Sequence, residues 1–166
     1  MVQNRAMPVR IATAADRDSL QRLINEAFVV ERFIKKGGSD RLDAAGRDMD
    51  RFLALGTFLL LEENDAPAGC VYLEPRGEAC YLGLLSVATD RQGTGVGRSL
   101  CQAAETWAKE KGCVRMTLRV VSPRREQLIS FYRNLGYEER GVQNYAPELV
   151  AEMQVPGHFI LMEKQI

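Results

Sequence analysis

Residues 79–112, "ACYLGLLSVATDRQGTGVGRSLCQAAETWAKEKG", constrain the fold more than any other part of the chain. The stretch opens with "ACYLGLLSV" (79–87), apolar on both faces, which is the pattern of a strand buried in the middle of a sheet. It closes with Val96, Leu100, Ala103, Ala104, Trp107 and Ala108 at helical spacing, stopped by Gly112. Between the two stand Gly93, Gly95 and Gly97. A central strand that passes through a turn of almost bare backbone into an amphipathic helix calls for an α/β architecture.

The flanking pattern completes a sheet around that unit. "PVRIA" (8–12) reads as a short strand, and Thr13 with Asp16 three residues on reads as a weak capping box. Leu20, Leu23, Ile24, Ala27 and Phe28 mark one face of a first helix. After the break at "KKGGSD" (35–40), a second helix is expected over about 40–55, with Met49, Phe52 and Leu53 inward and Gly56 just past its end. Residues 57–75 read as a hairpin turning at Asn64 to Pro67. "VRMTLRVV" (114–121) alternates, with Val114, Met116, Leu118 and Val120 on one face. Pro123 can open a further helix lined by Leu128, Ile129, Tyr132 and Leu135 and ended by Gly136. "YEERG" and "HFILMEK" are read as two closing strands. The expected order is β-α-α-β-β-β-α-β-α-β-β. That is one domain over 1–166, with 1–7 as a disordered tail.

Composition narrows the functions open to such a domain. Lys+Arg and Asp+Glu both number 22, so the chain is neutral overall, which argues against a nucleic-acid or anionic-membrane binder. No apolar run approaches membrane-spanning length. The N-terminal "MVQNRAMPVR" has no apolar secretory core, so a cytoplasmic protein is expected. Cys70, Cys80, Cys101 and Cys113 form no CxxC pair and read as reduced, buried thiols. A single histidine, His158, makes a zinc site improbable, and no metal is expected.

The glycine turn suits an anion. Backbone N–H groups in such a turn converge on one point, and the first N–H groups of the following helix lack internal partners at the positive end of its dipole. A pyrophosphate fits there, with Arg98 adding charge. The two common nucleotide motifs do not match. A P-loop would need glycine where Gln92 stands, and a dinucleotide fingerprint would need it at Arg98. On spacing alone, a turn that only lets strand and helix pack closely remains open.

Gln92-Gly93-Thr94-Gly95-Val96-Gly97 resembles the Gln/Arg-x-x-Gly-x-Gly/Ala signature of the GNAT-type N-acetyltransferases. "LGLLSVATD" (82–90) resembles the strand that runs into the loop in that family, and "SFYRNLGYEERG" (130–141) its later aromatic-Tyr-x-x-x-Gly-Phe/Tyr segment. The resemblance implies a GNAT-like acyl-CoA N-acyltransferase fold: a mixed, mostly antiparallel sheet of about seven strands with about four helices. It also implies acetyl-CoA as co-substrate. The pyrophosphate would lie on the amides of Gly93 to Arg98, beside Gln92, and the pantetheine arm would add to a strand that splays from its neighbour, against Leu85 and Val87. Phe131 and Ser122 join these as cofactor contacts, Ser122 standing where many members have asparagine. Arg124 and Arg125 read as CoA-phosphate contacts or as solvated residues at a helix start.

The implied chemistry is aminolysis of a thioester through a tetrahedral intermediate. The Val87 N–H would stabilise the oxyanion, and Tyr132 would return a proton to the departing thiolate as the family's general acid. Tyr132 also reads as one more inward aromatic. No residue is marked as general base. Glu74 is the first candidate and Glu31 the second, and for both a solvated carboxylate is the plainer reading. His158 reads as a proton shuttle or a structural histidine. The acceptor, a primary amine on a small molecule or peptide, would meet Glu31, Arg32, Phe33, Tyr145 and Glu148. A competing class is a non-catalytic acyl-CoA sensor, and a third is a structural domain with no CoA affinity. The exposed closing strands leave a homodimer open.

Overall fold

The computed structural model describes residues 7–29, 37, 40–122 and 126–166. Its sheet has seven strands: β1 (Val9–Ile11), β2 (Thr57–Glu63), β3 (Ala66–Arg76), β4 (Ala79–Val87), β5 (Arg115–Ser122), β6 (Glu138–Asn144) and β7 (His158–Gln165). Among the described residues five α-helices accompany them: α1 (Arg17–Ala27), α2 (Arg47–Leu55), α3 (Val96–Glu110), α4 (Glu126–Asn134) and α5 (Pro147–Glu152). The sheet order is β1-β2-β3-β4-β5-β7-β6, so the strand that feeds the glycine turn is the middle one. Every neighbouring pair is antiparallel except β4 with β5. Of the expected tail, residues 1–6 lie outside the described residues and Met7 packs against the core.

Local chemistry explains most of the element ends. The Thr13 N–H donates to Asp16 Oδ2 at 2.7 Å, the reciprocal half of a capping box. Asn64 and Asp65, both at positive φ, make the two-residue turn between β2 and β3. Gly136, at φ +98°, follows α4. Gly56 departs from expectation: its φ is −149°, extended rather than left-handed. Glycine is needed there for space, because a Cβ would stand 2.5 Å from both the Leu73 carbonyl oxygen and Tyr72 Cε2. Helix α2 begins at Arg47, later than the sequence suggests, because 40–46 forms a turn region with Leu42 buried and held by Asn25. Val114, expected inward, is exposed just ahead of β5. Strand β6 runs past Gly141 to Asn144, and α5 occupies part of what reads as a loop before β7.

The sheet buries both faces. On one, Leu82, Met116, Leu118, Val120 and Met162 pack with Leu100, Cys101, Ala104 and Ala108 of α3 and Tyr132 of α4. On the other, Phe58, Leu60, Cys70, Tyr72 and Leu84 pack with Leu20, Leu23 and Ile24 of α1 and Met49 of α2. This two-sided burial is why β2 to β4 read as nearly continuous apolar runs. Among the described residues no helix is long and apolar enough to cross a membrane.

Candidate active site

The site is a fork in the sheet. Strands β4 and β5 pair only at Ala79–Arg115, Cys80–Met116 and Tyr81–Thr117. Beyond that point β5 stays in register with β7 as far as Ser122–His158, while β4 follows β3. The edge of β4 that faces β5 is therefore free of β5 from Leu82 onward.

A bulge decides what faces the fork. In the β3–β4 ladder Cys70 pairs with Ser86 but Tyr72 pairs with Gly83, so β4 holds one extra residue opposite Val71. Leu84 absorbs it at φ +51°. One extra residue inverts the alternation that follows. Before the bulge, even positions such as Cys80 and Leu82 pack with α3; after it, Leu85 and Val87 do. The backbone turns with it. The Ala88 N–H donates to the Ala68 carbonyl at 2.8 Å. Antiparallel ladders alternate, so Val87–Gly69 is a non-hydrogen-bonded pair, and the Val87 N–H and C=O point away from β3 into the fork. The Ser86 hydroxyl, buried, donates to the Leu84 carbonyl at 2.8 Å and fastens the bulge.

The turn after β4 is anchored at its base and open at its tip. Arg91 pairs with Glu63 at 2.8 Å, and the Thr94 hydroxyl donates to the Arg91 carbonyl. Gly93 (φ +78°) and Gly95 (φ +91°) need glycine for their backbone angles. Among the described residues a Cβ on Gly93 would meet nothing within 4 Å, and one on Gly95 only Met7 Cε at 4.0 Å. The first bond of α3 runs from the Ser99 N–H to the Gly95 carbonyl, at 3.0 Å. The N–H groups of Val96, Gly97 and Arg98 therefore project from the helix end. Open space, projecting amides and an exposed Arg98 together fit a pyrophosphate, and the free β4 edge fits an amide-bearing arm.

Tyr132 lies on the same side of the sheet, 4% exposed, with its ring 5.1 Å from Phe131 and 5.6 Å from Tyr137, both edge-on. Ser122 ends β5; by alternation with Val120 it also faces that side. Among the described residues the Tyr137 hydroxyl is buried without a hydrogen-bond partner, and burial pushes its pKa up.

Glu74 is on the other side. Arg76 donates to it at 3.0 and 3.2 Å and the Tyr72 hydroxyl at 2.7 Å, and these bonds, Arg76 foremost, hold its pKa below the ordinary carboxylate value. Tyr145 is buried; its hydroxyl donates to the Ser122 carbonyl at 3.1 Å and its ring meets Phe159. His158 starts β7 opposite Ser122. Glu148 is exposed on α5. Glu31, Arg32, Phe33, Arg124 and Arg125 lie outside the described residues. Arg119 and Phe159, which no sequence motif marks, stand beside Tyr145 on the sheet face away from α3. The signal was the alternation of β5, which leaves Arg119 opposite in sense to Leu118 and Val120. Among the described residues no group of three or more His, Cys, Asp or Glu side chains could hold a metal ion.

Known proteins share this fold. A ribosomal-protein-alanine N-acetyltransferase from Brucella melitensis superposes with a TM-score of 0.75 at 20% identity, over 96% of this chain and 100% of that one. A GNAT family acetyltransferase from Elizabethkingia anophelis with acetyl-CoA bound gives 0.70 at 15% identity, over 98% and 100%. The PaiA N-acetyltransferase of Thermoplasma acidophilum, in complex with coenzyme A, gives 0.71 at 16%, over 96% and 99%. No curated protein sequence matches the chain. The sequence model of the acetyltransferase (GNAT) family matches residues 18–137, from the start of α1 through the aromatic segment after α4. The chain belongs to that family and is an acetyl-CoA-dependent acyltransferase.

Proposed function

We propose that this enzyme transfers the acetyl group of acetyl-CoA to a primary amine on a small molecule or peptide, by direct attack of the amine on the thioester. The observation that carries the reading is the Val87 N–H turned into the fork between β4 and β5. A thioester carbonyl lying against that edge would receive a fixed backbone donor as negative charge grows on its oxygen. The pyrophosphate would rest on the amides of Gly93 to Arg98 beside Gln92, and the pantetheine arm along Leu85 and Val87, with Phe131 and Ser122 at its flanks. Likeness to structures crystallised with acetyl-CoA and coenzyme A supports acetyl-CoA as the co-substrate.

Tyr132 is the proton donor to the departing thiolate in this scheme. It shares the side of the sheet on which Leu85 and Val87 pack, and a phenol of pKa about 10 is protonated at neutral pH. Glu74 is not the base in this scheme. An ammonium of pKa about 10.4 lies about six units above a free carboxylate, a transfer uphill by about 8 kcal/mol. The bonds from Arg76 and Tyr72 lower the Glu74 pKa further and widen that gap. The amine would instead enter as the neutral form that equilibrium with bulk solvent supplies, at a cost of about 5 kcal/mol at pH 7. The test is free-thiol release from acetyl-CoA over a panel of primary amines, with the acetylated product identified by mass. Stabilisation by acetyl-CoA without turnover of any amine would overturn the amine acceptor.

A further inference from the structure

On the face of the sheet away from α3, helices α1 and α2 cover β2, β3 and β4. Strand β5 turns Thr117, Arg119 and Val121 to that face, opposite to Met116, Leu118 and Val120. Arg119 stands two residues beyond Tyr81–Thr117, the last pair before the fork opens, and it is exposed. Its guanidinium carbon is 4.2 Å from the centre of the Phe159 ring. Phe159 is held in turn by Tyr145, whose ring meets it edge-on at 4.9 Å. Tyr145 is tied to β5 by its bond to the Ser122 carbonyl, 3.1 Å long. Gly157 makes room for that bond, since a Cβ there would run into both the Ser122 carbonyl and the Tyr145 hydroxyl. Arg119 thus lies on a braced aromatic shelf.

Most of the described arginines have a carboxylate within 4 Å, as Arg76 has Glu74 and Arg91 has Glu63. Among the described residues Arg119 has none. Glu163, on the same face opposite Thr117, accepts instead from Gln165 Nε2 at 3.0 Å. A guanidinium stacked on a ring keeps its N–H donors in a fixed plane around its edge, the geometry that grips a planar carboxylate with two parallel bonds. The stacking also removes much of the side-chain freedom that binding would otherwise cost.

Building on the N-acetyl transfer read above, we propose that Arg119 binds a carboxylate on the acceptor, so that the preferred substrate class is a small amino-carboxylate such as a free amino acid. A charge-assisted bidentate contact of this kind is worth about 10- to 100-fold in affinity.

The experiment uses the full chain, saturating acetyl-CoA and matched acceptors: glycine, alanine, phenylalanine and methionine, each beside its carboxamide. The carboxamide's amine is less basic and more available in neutral form, so any bias runs against the acid. Wild type is expected to favour the acids by tenfold or more in kcat/KM, mainly through KM. Arg119→Gln is expected to bring the ratio close to one and Arg119→Lys to an intermediate value, with the thermal shift from acetyl-CoA retained in both. Equal use of acid and amide by wild type, or an acid preference that survives in Arg119→Gln, would overturn the carboxylate contact and leave the amine reaction standing. Thiol release that responds to no amine would overturn the N-acetyl transfer reading and this one with it.

Discussion

Gly97 lies directly beneath Phe131: a β-carbon on Gly97 would stand 3.4 Å from Phe131 Cζ and 3.7 Å from Val87 Cγ2. The glycine turn and the aromatic segment of α4, far apart in the chain, meet at this point. The three glycines of the turn are therefore not equivalent. Gly97→Ala is expected to keep both fold and cofactor binding, because the added methyl makes ordinary contacts and alanine suits a helix. Gly95→Val is expected to abolish binding, because φ is +91° there and a branched side chain would occupy the open side of the turn. At 100 times its dissociation constant, acetyl-CoA should stabilise wild type and Gly97→Ala by about 2.7 kcal/mol. Thermal unfolding with and without acetyl-CoA checks both variants, and a normal shift for Gly95→Val would reduce the turn to a packing device.

Tyr132→Phe keeps the ring between Phe131 and Tyr137 and removes one hydroxyl. Turnover is expected to fall about 10²-fold or more at unchanged acetyl-CoA affinity, as for loss of a general acid. Single-turnover kinetics over a pH series separate the proton donor from a holding role. A variant at wild-type rate in the chemical step would remove the hydroxyl from the reaction.

Glu74→Gln tests the base. With the carboxylate held by Arg76 and Tyr72, the variant is expected to lose less than tenfold in kcat/KM. The rate of both proteins should climb with pH toward the pKa of the amine, as required when the amine enters neutral. A loss of 10² or more, together with a vanished carboxylate limb in the pH profile, would restore Glu74 as the general base.

Acid stability carries the signature of Asp16. Its carboxylate takes two bonds from Arg10 at 2.8 Å and one from the Thr13 N–H at 2.7 Å, and these, Arg10 foremost, push its folded pKa well below the unfolded value. A depressed pKa contributes stability above the unfolded value of about 3.9, and that stability drains away as pH falls toward the folded pKa. Asp16→Asn should be less stable at pH 7 by on the order of 1 kcal/mol, modest because Arg10 is half exposed. Urea midpoints at pH 7 and pH 2 should show the gap between the two proteins closing at the lower pH.

Gly56→Ala probes the close approach of α2's end to the hairpin. A Cβ 2.5 Å from the Leu73 carbonyl cannot be accommodated without moving β3. The expected cost is about 1–3 kcal/mol, seen as a drop in Tm of about 2–4 °C per kcal/mol. An unchanged Tm would mean that the junction gives way freely.

The order of elements apart from α5, the central strand, the glycine turn and the aromatic segment were legible in the residues, because each depends on local spacing. Strand β4 matched its expected span, Ala79–Val87, and α3 its expected register, since an apolar strand and a helical stripe need no partner to be recognised. The chemistry of the site was legible only through resemblance, and several of its particulars were not legible at all. The bulge at Leu84 leaves no mark in an apolar run, because leucine does not advertise a positive φ. Yet that one extra residue decides that Leu85 and Val87 face α3. Tertiary packing also decided that Glu74 is bound by Arg76 and Tyr72, that Tyr145 is spent on Ser122, and that Arg119 lies against Phe159 without a carboxylate. Each of these depends on which strand lies beside which and in what register. Sequence periodicity reports the face of a strand, and pairing across the sheet decides what that face meets.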